Sequence, residues 1–226
     1  MYQFDWSAVS EYFPTMMRGL AVTIEVSVIA EAVAIMLGLF FALCRLSGFA
    51  PIRLFAVAYI DFLRGVPILV ILLWTYYGLP ILLKVNLTAM QAGIIGLGCS
   101  YAAYLAEIFR SGIQAVPGGQ REAGRTLGLS RWHITMYVVL PQAFRIIVPP
   151  LGNTMISMLK DSSLVSIVAV DEMMRLTQVA AAETYRPLEL YAAAAVYYYL
   201  VTLVTARAIN LIERRLSRLP DGRTKA

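Results

Sequence analysis

The 226-residue chain is poor in the residues that a soluble catalyst or a nucleic-acid-binding module needs. Charged residues make up 15% of it, against about a quarter in ordinary soluble domains. It has one histidine, His133, so a histidine-based metal site cannot form. Its two cysteines, Cys44 and Cys99, sit in separate apolar stretches and read as inert buried thiols, with no need of an oxidising compartment. Lysine occurs only at Lys84, Lys160 and Lys225. No basic residue precedes Arg18, so the start lacks the positive region of a secretory signal, and the first apolar run is expected to be retained. No Gly-Lys pair occurs, which excludes the G-x-x-x-x-G-K-[ST] phosphate loop. There is no internal repeat and no low-complexity stretch.

What the chain does have is apolar bulk: 59% hydrophobic residues and a mean hydropathy of +0.69. A globule of this size could not cover itself with so little polar surface. Lipid is therefore the expected solvent, and the fold class is an all-α, polytopic membrane protein. Five apolar runs are long enough to cross a bilayer: Leu20 to Cys44, Phe55 to Pro80, Thr88 to Phe109, Ile146 to Val170 and Leu188 to Ile209. Basic residues set the expected orientation. Thirteen fall on one side, in the loops after the first and third runs and in the tail that carries Arg218, Arg223 and Lys225, against four on the other. The N-terminus is thus expected outside and the C-terminus in the cytoplasm. The net charge of +5 belongs to this topology and not to nucleic acid. Phe4, Trp6, Tyr12 and Phe13 mark residues 1–19 as an outer interfacial segment.

Ionisable groups at bilayer depth are costly, about 2.5–3.5 kcal/mol each on insertion scales, and are expected to face protein or a watered path. Glu25, Glu31, Asp61, Arg64, Glu107, Lys160 and Asp161 all lie in or beside the apolar runs. Asp61 with Arg64, and Glu107 with Arg110, have the three-residue spacing of helical ion pairs, and a purely structural role is the plainer reading for both. Pro67 is expected to break its helix, with Gly65 allowing another backbone close. Lys160-Asp161-Ser162-Ser163 interrupts the fourth run with most of a polar helical turn, which favours a hydrated cavity or gate. A solute carrying both an ammonium and a carboxylate would suit it. Gly98, Ala102 and Ala106 repeat at the spacing that packs helices closely in lipid. Of Tyr197, Tyr198 and Tyr199, at least one is expected to meet protein.

Between the third and fourth runs, Gln120 to Leu127 is expected to form a short helix after the break at Pro117-Gly118-Gly119. Gly128 is suited to a left-handed C-cap, and a second short helix is expected from Ser130 to Leu140-Pro141. Glu122-Ala123-Gly124, then Gly128, then Val138-Val139-Leu140-Pro141 resembles the EAA loop of permease subunits of bacterial ABC importers: E-A-A, three residues, G, nine residues, I-x-L-P. Gly124 replaces the second Ala and Val138 the Ile. Phe62-Leu63-Arg64-Gly65-Val66-Pro67, Glu107-Ile108-Phe109-Arg110-Ser111-Gly112-Ile113, Pro117-Gly118-Gly119-Gln120 and Leu159-Lys160-Asp161-Ser162-Ser163-Leu164-Val165 narrow the resemblance to the polar amino-acid uptake branch. The opening Met1-Tyr2-Gln3-Phe4-Asp5-Trp6 is similar to permeases of acidic amino-acid systems.

The resemblance implies a single permease domain of type I fold over residues 1–226, with residues 112–133 as the cytoplasmic coupling loop. It implies a second permease subunit, identical or paralogous, two ATPase subunits below and a soluble substrate-binding protein outside. No cofactor is expected on this chain, ATP and Mg being the ATPase partner's. Gln120, Glu122, Ala123, Gly124, Leu127 and Gly128 are then the expected coupling residues. Arg64, Glu107, Lys160, Asp161, Ser162 and Ser163 are the expected pathway or gate. Two rivals stand beside this reading. An ion-gradient-driven secondary transporter would explain the buried charges but not the capped hairpin; a membrane-embedded enzyme lacks a catalytic cluster.

Overall fold

A computed structural model describes residues 3–217, so Met1, Tyr2 and the tail residues Arg218, Arg223 and Lys225 lie outside the described residues. The described chain is helical almost throughout and contains no strand. Helix α1 (Ser7–Leu46) is unbroken over 40 residues. Residues 7–19 are thus helical and continuous with the span expected from Leu20. Pro14 lies inside α1, past the first turn, so one i→i−4 hydrogen bond is missing there, yet the helix runs on.

Helix α2 (Ala50–Gly65) and helix α3 (Ile68–Leu73) meet at a sharp break. Val66 is extended at φ −96°, ψ 134°, the region that a following proline imposes. Pro67 then opens α3, and the two halves bend by 107°. The expected break at Pro67 is present. The expected close backbone approach at Gly65 is not, since a Cβ there would meet nothing within 4 Å. A π-helical turn, Trp74–Gly78, and α4 (Leu79–Leu83) complete this arm, which Lys84 ends in a left-handed conformation.

Helix α5 (Ala89–Gln114) starts at a reciprocal capping box between Thr88 and Gln91. Helix α6 (Gly118–Thr126) follows, then the single turn α7 (Arg131–His133), capped by the Ser130 side chain. The helix begun there does not stop at Leu140-Pro141. It passes through a π-helical turn, Ile134–Val139, into α8 (Leu140–Asp161), with Pro141 at the junction where the π-turn gives way to the α-helix. A 3-10 turn, Ser162–Val168, continues it and Ala169 closes it at φ 62°. Helix α9 (Met173–Thr184) then precedes α10 (Pro187–Ser217). Four uninterrupted helical stretches are long and apolar enough to cross a membrane, and the bent α2–α4 arm makes a fifth if it crosses as one.

The core lies along α1 and α5, the most extensive helix pair. Ala30, Ala34, Gly38 and Ala42 form a four-residue repeat on α1, all of it buried. A Cβ on Gly38 would fall 2.8 Å from Leu105 Cβ and 3.1 Å from the Ala102 carbonyl. A Cβ on Gly98 would fall 2.8 Å from Val33. The expected small-residue face of α5 thus meets a matching face on α1, letting the backbones approach where lipid offers no hydrophobic drive to association.

Candidate functional site

Where α2 breaks, its C-terminal end, the start of α3 and one face each of α5 and α8 enclose a cavity of about 530 Å³. Arg64 and Asp161 both line it, with Tyr101, Tyr104, Thr154 and Ser157. Arg64 reaches it because the break at Val66-Pro67 places the last turn of α2 at its mouth. Its guanidinium carbon lies 5.6 Å from the centre of the Tyr104 ring, within cation–π range. It does not pair with Asp61, which is exposed on the outside of α2. Asp161 stands at the end of α8 and accepts a hydrogen bond from Tyr101 Oη at 2.8 Å. One wall thus offers a permanent cation and another an oriented carboxylate, with hydroxyls between them.

The run Lys160-Asp161-Ser162-Ser163 does not form one site. Successive helical residues point about 100° apart, and the four side chains separate accordingly. Asp161 enters the cavity above. Lys160 and Ser163 line a second, largely apolar cavity of about 480 Å³ with Met174, Tyr191 and Tyr198. Ser162 is fully buried and donates to the Leu159 carbonyl at 2.7 Å. Glu107 also lies apart from the Arg64 cavity. It pairs with Arg110 at 2.8 Å, as its spacing predicts, and with Arg45 from the end of α1. Arg110 extends this network to Gln114.

Two further features went unread in the sequence. Tyr101 orients Asp161, although an aromatic inside an apolar run carries no sign of such a role. Helix α9 has too few apolar residues to register as a span, but its N-cap, Glu172, is wholly buried. The Glu172 carboxylate accepts from the Arg175 backbone N–H at 2.8 Å and from Tyr198 Oη at 2.6 Å, and lies 3.2 Å from Thr23 Oγ1. Burial pushes this carboxyl above the usual carboxylate range, and the hydrogen bonds pull back against it.

The α6 hairpin is built by two glycines. Gly128, at φ +73°, takes the left-handed position after the helix. Its N–H donates to the Arg125 carbonyl at 2.9 Å and the Leu129 N–H to the Gly124 carbonyl at 3.0 Å, a Schellman closure. Gly124 is the buried residue of α6, where a Cβ would come 2.9 Å from Ile134. The inward face of the hairpin is therefore fitted to a residue without a side chain, which accounts for Gly where the motif has Ala. Gln120, Glu122, Ala123 and Leu127 face outward, Leu127 with 79% of its surface exposed. Arg121 fastens the hairpin to α5 by donating to the Ile113 carbonyl at 3.1 Å.

A polytopic helical chain with a capped polar hairpin between two spans and a charged cavity beside a broken helix has close counterparts. Residues 34–218 match the family of binding-protein-dependent transport system inner membrane components, and the chain belongs to that family. It is 36% identical over 218 residues to the glutamine transport system permease protein GlnP of Escherichia coli (strain K12), covering 96% of this chain and 100% of the relative. It is also 36% identical over 214 residues to the probable amino-acid ABC transporter permease protein YckA of Bacillus subtilis (strain 168), covering 95% and 94% of the two chains. A solved amino acid ABC transporter with histidines superposes with a TM-score of 0.89 at 38% identity, over 95% of this chain and 100% of that one. Within the family, the chain is thus placed among the permeases of amino-acid ABC transporters, with the type I fold.

Proposed function

We propose that this chain is the membrane half of an ATP-driven importer that carries a polar amino acid across the inner membrane of a bacterium, with its N-terminus outside and its C-terminus in the cytoplasm. The observation that carries the substrate class is the cavity lined by both Arg64 and Asp161. An α-carboxylate suits the guanidinium, which can bind it through two parallel hydrogen bonds. An α-ammonium suits Asp161, whose charge is held in place by Tyr101. The remaining hydroxyls of Thr154 and Ser157 are left for a polar side chain.

Coupling to ATP falls to the α6 hairpin. Its exposed face of Gln120, Glu122, Ala123 and Leu127 would seat in an ABC ATPase subunit, while Gly124 and Gly128 hold the hairpin in shape. Arg121, bonded to the end of α5, gives a displacement of the hairpin a direct route into that helix. ATP and Mg belong to the ATPase partner, a second permease subunit completes the pathway, and a binding protein delivers the solute from outside. The test is uptake by proteoliposomes holding the chain with its ATPase and permease partners, fed by the binding protein. Amino-acid accumulation that needs internal ATP supports the reading. Accumulation that follows an ion gradient without ATP overturns it in favour of a secondary transporter.

A further inference from the structure

At the hairpin end of α5, one carboxylate holds two arginines. Glu107 pairs with Arg110 in the next turn of its own helix at 2.8 Å, and with Arg45, 62 residues away in sequence at the end of α1. The first pair is local to α5 and carries nothing between helices. The second bridges α1 and α5. The Arg45 and Glu107 side chains keep only 24% and 19% of their surface exposed, so solvent screens this bridge less than it would an ion pair on the surface.

The bridge stands between the hairpin and the Arg64 cavity. On the hairpin side, Arg121 donates to the Ile113 carbonyl, six residues beyond Glu107 along α5, about 9 Å by helical rise. On the cavity side, Phe41 of α1 and Ala106 of α5 share a buried apolar cluster with Ala56 and Ile60 of α2. Ile60 lies one turn before Arg64, whose guanidinium stands over the Tyr104 ring of α5. Elsewhere α1 and α5 meet through small residues such as Gly38 and Ala102. Such a seam permits close approach but has no directional bonds. An arginine–carboxylate pair fixes relative position through oriented, charge-assisted hydrogen bonds, and this one does so at the end of α5 where the hairpin is fastened.

We infer that Glu107, by holding Arg45, locks the ends of α1 and α5 together, so that displacement of the hairpin moves α1, α2 and α5 as one body and carries Arg64 along with Tyr104. This rests on reading the α6 hairpin as the element that couples to ATP. Glu107 is a positioning residue: it touches no solute and sets how much of the hairpin's movement reaches the cavity. With the lock severed, ATP is hydrolysed while Arg64 lags behind the helix that bears its ring partner.

The test uses the chain with its ATPase, permease and binding-protein partners in proteoliposomes, supplied with a radiolabelled mixture of the protein amino acids. It reads ATP hydrolysed per amino acid imported, a ratio that loss of folded protein leaves unchanged. Glu107→Gln and Arg45→Met should each raise that ratio about fivefold or more. Arg45→Lys, which keeps the charge, should raise it less than Arg45→Met, and Arg110→Met, which leaves the bridge between helices, should stay within about twofold of wild type. An unchanged ratio in Glu107→Gln or Arg45→Met overturns the inference, as does an equal rise in Arg110→Met. A second measurement leaves the lock intact: spin labels on Leu43→Cys and Ser111→Cys, both exposed, with Cys44 and Cys99 replaced by alanine. Their separation should hold within about 3 Å between the nucleotide-free and ATP-bound transporter, and a larger change overturns the inference even if the lock variants fail to assemble. Wild-type vesicles that import amino acids without hydrolysing ATP overturn the reading of the hairpin, and the lock with it; with a coupled wild type, the variants judge the lock alone.

Discussion

Tyr198 Oη donates to Glu172 Oε2 across 2.6 Å and so ties the middle of α10 to the first turn of α9. Thr23 of α1 approaches the same oxygen, and its hydroxyl accepts from the Met173 backbone N–H at 3.2 Å. One buried carboxylate thereby joins three helices. Tyr198→Phe removes one donor from a group that stays buried and should lower stability by about 1–2 kcal/mol. Glu172→Ala also removes the helix cap and should cost about 1 kcal/mol more. Thermal unfolding of the purified complex measures both. The opposite order, with the tyrosine variant the less stable, would count against the carboxylate as the centre of the junction.

The same junction has a pH signature. Because burial raises the Glu172 carboxyl in the folded chain, the folded state holds that proton more tightly than the unfolded one. The associated stability is complete below the ordinary glutamate range and declines as pH climbs from there through the raised value. Glu172→Gln has no proton to lose. The stability difference between wild type and this variant should shift in favour of the variant as pH rises from about 4.5, the ordinary glutamate value, and then level off. A difference that stays flat with pH means that the carboxyl does not titrate with folding.

Charge in the Arg64 cavity can be separated from shape. Asp161→Asn still accepts the Tyr101 hydrogen bond but no longer attracts an ammonium, so uptake should fall by about tenfold or more with normal membrane abundance. Tyr101→Phe keeps the charge and loses only its orientation, and a smaller loss is expected. Uptake assays at matched abundance distinguish them. If the tyrosine variant proves the more damaging, Asp161 serves as an anchor for Tyr101 instead of as a ligand.

Much of this architecture was legible because bilayer physics leaves strong marks. Uninterrupted apolar runs, the Pro67 break and the Gly128 cap each follow from a local rule, and each stands where its residues imply. The grouping of polar side chains was not legible. Lys160 and Asp161 are neighbours in sequence yet face different cavities, since one step along a helix turns a side chain through about 100°. Arg64 looked equally well placed to pair with Asp61, but the bend after Gly65 carries it to Tyr104 instead. Helix α9 escaped notice because its mixed polarity suits a segment packed under a cap better than a span. The Glu107–Arg45 pair joins residues from separate helices, which only the α1–α5 packing brings together.

At Gly128 the backbone conformation can be tested without a steric contribution, since a Cβ there meets nothing within 4 Å. The whole effect of a substitution comes from holding φ at +73°. That region costs an ordinary L-residue about 1–2 kcal/mol, and asparagine less. ATP-driven uptake should therefore decline in the order Gly, Asn, Ala, Val at this position. Gly128→Asp adds a negative charge beside the exposed Leu127 and should uncouple or disassemble the transporter. Full uptake by Gly128→Val would show that the hairpin needs no left-handed closure.

Gly38 and Gly65 provide the complementary contrast. Both are glycines near the broken arm or the core, and composition does not tell them apart. A methyl at Gly38 would press against Leu105 Cβ at 2.8 Å and against α5 backbone at Ala102, so the two helices would have to separate along their whole seam. Overpacking of that kind costs about 1–3 kcal/mol, and Gly38→Ala should lower both thermal stability and membrane abundance. A methyl at Gly65 meets open space on the rim of the cavity, and alanine also favours the last turn of α2. Gly65→Ala should therefore fold at least as well as wild type, and any loss of uptake in it reports on passage through the cavity mouth. Equal stability losses in the two variants would mean that the small-residue seam is not what brings α1 and α5 together.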